Sequence, residues 1–169
     1  LLFYKYVDVP EPEQFRESHL KFCEKNNIRG RVWISNEGIN ATVSGATNDI
    51  ENYKNEIRSY SQFSDVWFKE DKYHDHAFNK IHVRVRTEIV NSDLGRVDFS
   101  KTGKRLDPSE LNNFYESGKD FVIIDTRNYY ESEIGKFKNA ITPPMETFRD
   151  WKDFVNEIEE YKDKTVVTY

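Results

Sequence analysis

The 169-residue chain is 33% charged with a formal net charge of -5 at pH 7, which excludes nucleic-acid binding through overall positive charge but leaves local basic patches open. Its 37% hydrophobic and 15% aromatic content excludes a disordered chain, and its single cysteine, Cys23, excludes a disulfide-stapled secreted scaffold. Because there is no apolar run of about 18 residues and no signal peptide is visible, we expect a cytoplasmic protein without a membrane partner.

The first half of the chain has the element order β-α-β-β-α-β with one extra strand-like piece. The predicted elements are a strand at 3–9, a helix at 13–27, a hairpin of strands at 31–35 and 39–44, a helix capped by Thr47 or Asn48, and extended segments at 65–69 and 80–85. This order is typical of an α+β ferredoxin-like (acylphosphatase-like) domain, with two helices on one face of an antiparallel sheet. We place this domain at residues 1–92.

The second half reads as a linker followed by part of an α/β domain. Residues 93–107 are polar, include Gly95 and Gly103, and carry a linker cluster of Lys101, Lys104 and Arg105. A helix begins at Asp107-Pro108, a buried parallel strand follows at 121–125, a helix is predicted around 146–161, and a β-branched strand lies at 165–169. We place the α/β domain at residues 108–169.

The alternation of side chains along the strands predicts a polar sheet face that carries cations and a tryptophan. It places Lys80, His82, Arg84 and Arg86 on one side of their strand, and Arg31 and Trp33 on the outward side of the hairpin, where Asn40 and Thr42 also point. If these strands are neighbours, cations lie beside an indole, which is the combination that single-stranded RNA recognition uses. The alternative is an ordinary solvated outer sheet face.

Other candidate sites are weaker. His74 and His76, with Asp71 and Asp75, lie in a polar connection, and two histidines at this spacing do not make a metal site, so we predict none. Asn36 and Asn40 are similar to polar groups of acylphosphatases, but the phosphate-cradling loop motif of those enzymes is missing, and fold likeness alone does not carry that activity.

A motif in the second half resembles the opening of rhodanese domains. The stretch 122–131 runs from a buried strand into Asp125-Thr126-Arg127 and then Glu131, and 135–141 is similar to the glycine-to-alanine segment that follows. We expect Asp125 to cap the next helix and Arg127 to pair with Glu131, four residues further on. These three residues are predicted to support the rhodanese motif.

The same resemblance implies where catalysis would occur. In rhodanese domains the catalytic cysteine follows a later strand, which corresponds here to 165–169, so we expect a chain truncated after Tyr169, without a catalytic residue and inactive on its own. Cys23 does not match that position and is predicted to be a small core residue.

Further sequence segments make the resemblance specific to one family. Residues 33–45 and 83–90, together with the closing 165–169, are similar to the bacterial tRNA wobble-uridine hydroxylases over essentially the whole chain. The resemblance implies an oxidoreductase of tRNA modification that hydroxylates carbon 5 of the wobble uridine, with molecular oxygen as co-substrate, the tRNA anticodon loop as partner, and no DNA. The residues identify no further cofactor. A rhodanese-type sulfurtransferase using the cysteine beyond Tyr169 and a non-catalytic interaction module stay open as alternatives.

Overall fold

The computed structural model describes residues 1–93, 98 and 101–169. They form two compact units, Leu1–Val90 and Asn91–Tyr169. The predicted linker at 93–107, including Gly95, therefore falls partly outside the described residues. In the described part of the chain, none of the helices has the length and apolar content that crossing a membrane requires.

The first unit is an α+β arrangement built on one sheet. Its elements are β1 (Leu2–Tyr6), α1 (Pro12–Lys25), β2 (Arg29–Ser35), β3 (Gly38–Ser44), α2 (Thr47–Ser59) and β4 (Ile81–Val85). The strand order is β1-β3-β2-β4, with β3 antiparallel to both of its neighbours. The predicted hairpin and the ferredoxin-like α+β order are confirmed.

The expected fully antiparallel sheet is wrong, because β4 runs parallel to β2. A parallel partner needs a long crossover, and the chain makes one through β3 and α2 before it reaches the free edge of β2. The predicted strand at 65–69 is reduced to one antiparallel bridge between Leu2 and Lys69. The chain leaves a 3-10 turn at Ser61–Phe63, and the Val66 amide still donates to the carbonyl of Phe63, so only a short extended stretch remains.

Both helices pack on the same face of this sheet. Alternate strand residues such as Phe3, Val32 and Ile34 are buried in one core with the helix residues Tyr53 and Ile57. Cys23 belongs to the same cluster and is fully buried, which confirms its prediction as a core residue. The opposite face of the sheet, which we call the outer face, carries the polar half of each alternation.

A histidine is enclosed in this apolar core. His19 is 1% exposed, and its Nε2 lies 3.0 Å from the hydroxyl oxygen of Tyr53. Among the described residues, its Nδ1 finds no hydrogen-bond partner. Burial lowers the pKa of His19 to about 4, because the cationic form would lose its hydration without gaining a partner.

The second unit has a smaller apolar core than the first. Its elements are α3 (Pro108–Ser117), β5 (Phe121–Ile124), α4 (Tyr129–Ile134), α5 (Trp151–Phe154) and β6 (Thr165–Thr168), and β5 and β6 pair in parallel. The predicted helix start at Asp107-Pro108 is confirmed, since Asp107 and Glu110 form a capping box.

The helix predicted around 146–161 is confirmed only in part, because the segment forms short helical turns instead of one regular α-helix. The chain forms 3-10 turns at Phe148–Asp150 and Glu157–Tyr161 on either side of the four-residue α5. Acidic residues recur at three- and four-residue spacing along this segment, at Asp150, Asp153, Glu157 and Glu160. Like charges at that spacing repel on a helix surface, and the intervening Val155-Asn156 pair has low helix propensity.

Candidate functional site

The outer face brings the predicted RNA-binding residues together. Trp33 on β2 lies in register with Arg84 on β4, and Arg31 lies in register with His82. Arg86 directly follows β4, and its guanidinium carbon lies 5.8 Å from the ring centroid of Trp33. The geometry therefore places an indole among cations on one continuous surface.

The sixth predicted residue lies at the open end of this surface. Lys80 immediately precedes β4, and its carbonyl accepts a 3.0 Å hydrogen bond from the Gly30 amide. Gly30 has a φ of +147°, and a Cβ there would collide with the Thr42 backbone, so only glycine allows β2 to lie this close to β3. The Lys80 side chain is exposed.

The outer face keeps its positive charge. Among the described residues, no carboxylate forms an ion pair with the exposed side chains of Arg31, Lys80 or Arg84. The linker cluster differs, since Lys101 pairs with Asp98 at 3.6 Å and Lys104 pairs with Glu110 at 2.7 Å. The outer face is thus the better surface for a polyanion, because its cations do not have to leave an existing partner.

One end of the outer face is covered by the chain itself. The amide of Ile89 donates to Oε1 of Glu37 at 2.8 Å, and Nδ2 of Asn40 donates to the carbonyl of Ile89 at 3.0 Å. Burial is the main cause that raises the pKa of Tyr6 to about 12, and the nearby Glu37, Tyr4 and Glu88 raise it further. The chain's own backbone therefore occupies the hairpin end of the outer face.

The two asparagines that were compared with acylphosphatase residues already donate hydrogen bonds to backbone carbonyls. Nδ2 of Asn36 donates to the carbonyl of Val9 at 3.2 Å, and Asn40 holds Ile89 as described above. Both amides are therefore used to hold the backbone. This arrangement gives no support for a phosphate site at these positions.

Two outer-face residues were missed by the sequence analysis. β2 begins at Arg29, two residues earlier than predicted, and this adds another exposed cation in register with Ser44. Tyr4 on β1 lies in register with Asn40 and is 61% exposed. Extending the alternation of the predicted strands by one period would have found Arg29, and assigning faces to β1 would have found Tyr4.

The histidine-containing connection does not assemble a metal site. Nδ1 of His76 lies 3.2 Å from Oγ of Ser44, and the rings of Tyr73 and His74 are 4.3 Å apart. Within residues 1–93, 98 and 101–169, no group of three or more His, Cys, Asp or Glu side chains is placed to hold a metal ion.

The second unit contains a buried carboxylate network at the rhodanese-like motif. Asp125 is fully buried, and Arg127 donates to it from Nε at 3.0 Å and from Nη2 at 2.8 Å. Ser132 Oγ at 3.0 Å and the Tyr169 hydroxyl at 2.8 Å also donate to it. Burial alone would raise the pKa of Asp125, but these hydrogen bonds outweigh burial and hold it well below its usual range.

The two local interactions expected of this motif are wrong. α4 begins after Asn128, so Arg127 precedes the helix and pairs with Asp125 instead of Glu131. Asn128 is the N-cap, and Glu131 completes the capping box by accepting from the Asn128 amide at 3.3 Å. Asp125 therefore anchors the network instead of capping the helix.

Comparison with known proteins places the first unit in a family. A family model described as the UPF0176 acylphosphatase like domain matches residues 1–89. The chain belongs to the UPF0176 family. The resemblance to wobble-uridine hydroxylases expected from the signature strings is confirmed, because curated relatives with that name match over the whole chain.

Relatives of this UPF0176 chain are similar beyond the first unit. A protein of Staphylococcus carnosus (strain TM300) named tRNA uridine(34) hydroxylase is 45% identical over all of the chain and 54% of its own length. Proteins of the same name from Acholeplasma laidlawii (strain PG-8A) and Staphylococcus haemolyticus (strain JCSC1435) are 42% and 44% identical, with 54% and 53% of their lengths covered. The UPF0176 chain spans about half the length of the curated relatives that it matches.

Proposed function

We propose that this chain is part of a cytoplasmic tRNA-modifying enzyme that converts the wobble uridine of tRNA to 5-hydroxyuridine. One observation carries the proposal: the chain is 42–45% identical, over its full length, to proteins named tRNA uridine(34) hydroxylase. The similarity covers both units, so it is not explained by a shared acylphosphatase-like domain alone.

The outer face of the first unit is proposed to bind the anticodon loop. Arg31 and Arg84 would contact phosphates, and one face of Trp33 would stack on a base, with Arg86 beside the indole. A loop suits such a surface, because its bases are unpaired and can leave their stack. The lack of ion pairs at these cations among the described residues supports this role.

The second unit is proposed to be the N-terminal part of a rhodanese domain. The parallel β5–β6 pair and the buried Asp125 support this reading. The network also fixes the end of β6, since the carbonyl of Tyr169 accepts from the Thr126 amide at 3.0 Å and from its hydroxyl at 2.7 Å. The catalytic cysteine of rhodanese domains follows this strand, so we assign no catalytic role to the described residues.

The proposed roles of this chain are binding and orientation. Replacing the hydrogen on carbon 5 of uracil with hydroxyl is a two-electron oxidation, with molecular oxygen as the co-substrate that the resemblance implies. The described residues are proposed to hold the loop so that its wobble base is presented away from the stack, which is the arrangement that chemistry on a base requires.

Mass analysis of wobble uridines tests the proposal. A strain that lacks the gene should lose 5-hydroxyuridine, and the intact gene should restore it. A gene carrying Arg31→Ala and Arg84→Ala should restore it poorly, whereas one carrying Arg149→Ala, an exposed arginine of the second unit, should restore it fully. Unchanged 5-hydroxyuridine in the deletion strain would contradict the proposal.

The Asp125–Arg127 motif favours one second candidate, a rhodanese-type sulfurtransferase. The same deletion strain separates the two functions. If wobble uridines are unchanged while sulfur transfer from thiosulfate falls and returns on complementation, the sulfurtransferase is the correct function.

A further inference from the structure

The open end of the outer face, where β2 and β4 begin, carries two cations that the proposed phosphate and base contacts do not use. Arg29 is the first residue of β2, and it is exposed between the buried residues Ile28 and Gly30. Its side chain therefore points away from the core, as that of Arg31 does. Lys80 directly precedes β4 and is exposed as well. Both positions extend the positive charge of the outer face to its end.

The strand register places these two cations side by side. Gly30 pairs in parallel with Ile81. The Gly30 amide donates to the Lys80 carbonyl at 3.0 Å, so the pairing continues to the residue before β4. Arg29 and Lys80 therefore lie next to each other on neighbouring strands, whose backbones are about 4.8 Å apart. An anion bound at this place would be within reach of both side chains.

The outward residues of β2 and β4 form rows across the sheet. From the open end, the rows are Arg29 with Lys80, Arg31 with His82, and Trp33 with Arg84. Successive rows are about 6.6 Å apart, because outward residues are separated by two strand positions. We call the permanent cations of these rows the cation track, and they are Arg29, Arg31, Lys80 and Arg84. In the described part of the chain, no carboxylate forms an ion pair with any of them.

The strand β3, on the other side of β2, has only uncharged outward residues, which are Asn40, Thr42 and Ser44. Oγ of Ser44 lies 3.2 Å from Nδ1 of His76. The side-chain amide of Asn40 is held by the carbonyl of Ile89. The exposed residues at the β1 edge carry both signs of charge, and they are Lys69, Glu70 and Asp71. A polyanion is therefore attracted along β2 and β4 and not across β3.

We propose that the cation track binds consecutive phosphates of single-stranded RNA, so that the backbone runs along β2 and β4 from the open end towards the base on Trp33. The inference rests on the proposed RNA-binding role of the outer face, and it adds a strand direction and the phosphate contacts of Arg29 and Lys80. A positive groove that follows the backbone, next to an aromatic ring for a base, is the arrangement with which proteins bind single strands.

The row spacing fits a single strand. The sugar–phosphate unit of one nucleotide can span the distance between neighbouring rows, so each row serves one phosphate. The base on Trp33 has to be unpaired, because the faces of duplex bases are covered by their stacked neighbours. The chain's own backbone at Ile89 occupies the hairpin end, so the strand leaves the sheet near Trp33. The ligand is a single strand of about three nucleotides or more that turns away at its stacked base.

Titration of the 169-residue chain with octauridylate at several salt concentrations tests the proposal. Arg29→Ala and Lys80→Ala should each lower the log-log salt slope by about 0.7, because each removes one single-strand phosphate contact. Arg29→Lys keeps the charge and should keep the slope. Lys21→Ala is the matched control and should keep the slope too, since Lys21 is an exposed cation of α1, on the opposite side of the sheet.

A uridine dinucleotide separates the cation track from the base site. Its base binds at Trp33, and Arg29 lies two rows away, at about 13 Å, which is beyond the Debye length of about 8 Å at physiological salt. Arg29→Ala should therefore change the Kd of the dinucleotide by no more than about twofold. Trp33→Ala should raise that Kd about 5- to 150-fold. Equal weakening of octauridylate and the dinucleotide by Arg29→Ala would contradict a separate phosphate contact.

Further outcomes overturn the inference in distinguishable ways. If Arg29→Ala and Lys80→Ala keep the wild-type slope while Arg84→Ala lowers it, the backbone does not follow the cation track and the proposed RNA role of the outer face stands. If none of these variants changes octauridylate binding and Trp33→Ala does not either, both the cation track and the RNA role of the outer face are wrong. Competition by an RNA duplex as strong as that by octauridylate would contradict the single-strand requirement.

Discussion

The two units are stabilised by different kinds of buried group. The first unit buries a continuous set of aromatic and aliphatic side chains between its helices and its sheet, and charged side chains lie on its outer face. In the second unit the buried apolar residues are few, with Ile123, Ile124 and Met145 among them, and a carboxylate with several donors lies beside them at Asp125. Removal of a charge and acidification should therefore affect the two units differently.

The largest expected effect is the loss of the buried carboxylate. Asp125→Ala leaves the donors of Arg127, Ser132 and Tyr169 without their acceptor, and leaving a buried donor unsatisfied costs about 1–3 kcal/mol. Hydrogen exchange should show faster exchange throughout the second unit and unchanged exchange in the first. Asp163→Ala, at an exposed position, should stay within about 0.5 kcal/mol of wild type. Equally accelerated hydrogen exchange in both units would contradict this expectation.

Acidification from pH 7 to pH 4 should lower the stability of the first unit by about 3 kcal/mol relative to that of the second unit. The pKa of His19 falls from 6.5 in the unfolded chain to about 4 in the folded one, so the unfolded state binds more protons between these values and the first unit loses stability as pH falls. Asp125 has a lowered pKa, so its contribution is fully present above about pH 4 and is lost only in stronger acid.

Urea unfolding at pH 7, 5.5 and 4, with a deuterium pulse to report each unit, measures this difference. The first unit should lose stability over the whole range, and His19→Leu should flatten the dependence whatever its stability at pH 7. If the first unit had the same stability at pH 7 and pH 4, the pKa of His19 would not be lowered by folding.

The proposed base-stacking role of Trp33 should appear as a change in RNA affinity. Trp33→Ala should weaken binding of an anticodon stem-loop by about 1–3 kcal/mol, with the salt dependence nearly unchanged, because stacking releases no counterions. Trp151→Ala removes a half-buried tryptophan from the second unit and serves as the control. Loss of affinity in both variants would place RNA contacts outside the outer face.

The smallest expected effect concerns single phosphates. Arg84→Ala and Arg86→Ala should each weaken RNA binding and lower the log-log salt slope by about 0.7 per lost contact. Arg149→Ala, at an exposed arginine in the second unit, should leave the slope unchanged. Wild-type slopes in both outer-face variants would move the phosphate contacts elsewhere, first of all to the linker cluster.

Local periodicity accounts for what the sequence predicted well. Alternation has a period of two residues, so it assigns Trp33 and Arg84 to outward faces without knowledge of which strands are neighbours. The choice of partner is not local, and for this reason the parallel pairing of β4 with β2 was not predicted. The same limit applies to Arg127: its partner depends on where α4 begins, and the capping box at Asn128 moves that start past it.

The parallel pairing of β2 with β4 has a consequence for biosynthesis. Arg84 follows Trp33 by 51 positions, and the two become neighbours only through this pairing. Ribosomes add about 5–20 residues per second, so an emerging chain carries the indole for roughly 3–10 s before the opposing arginine exists. Pairing across so long a stretch is also slow once the chain is complete. The proposed RNA-binding surface therefore depends on the last strand of the first unit to leave the ribosome, and we expect a nascent chain to bind no RNA there before β4 has paired with β2.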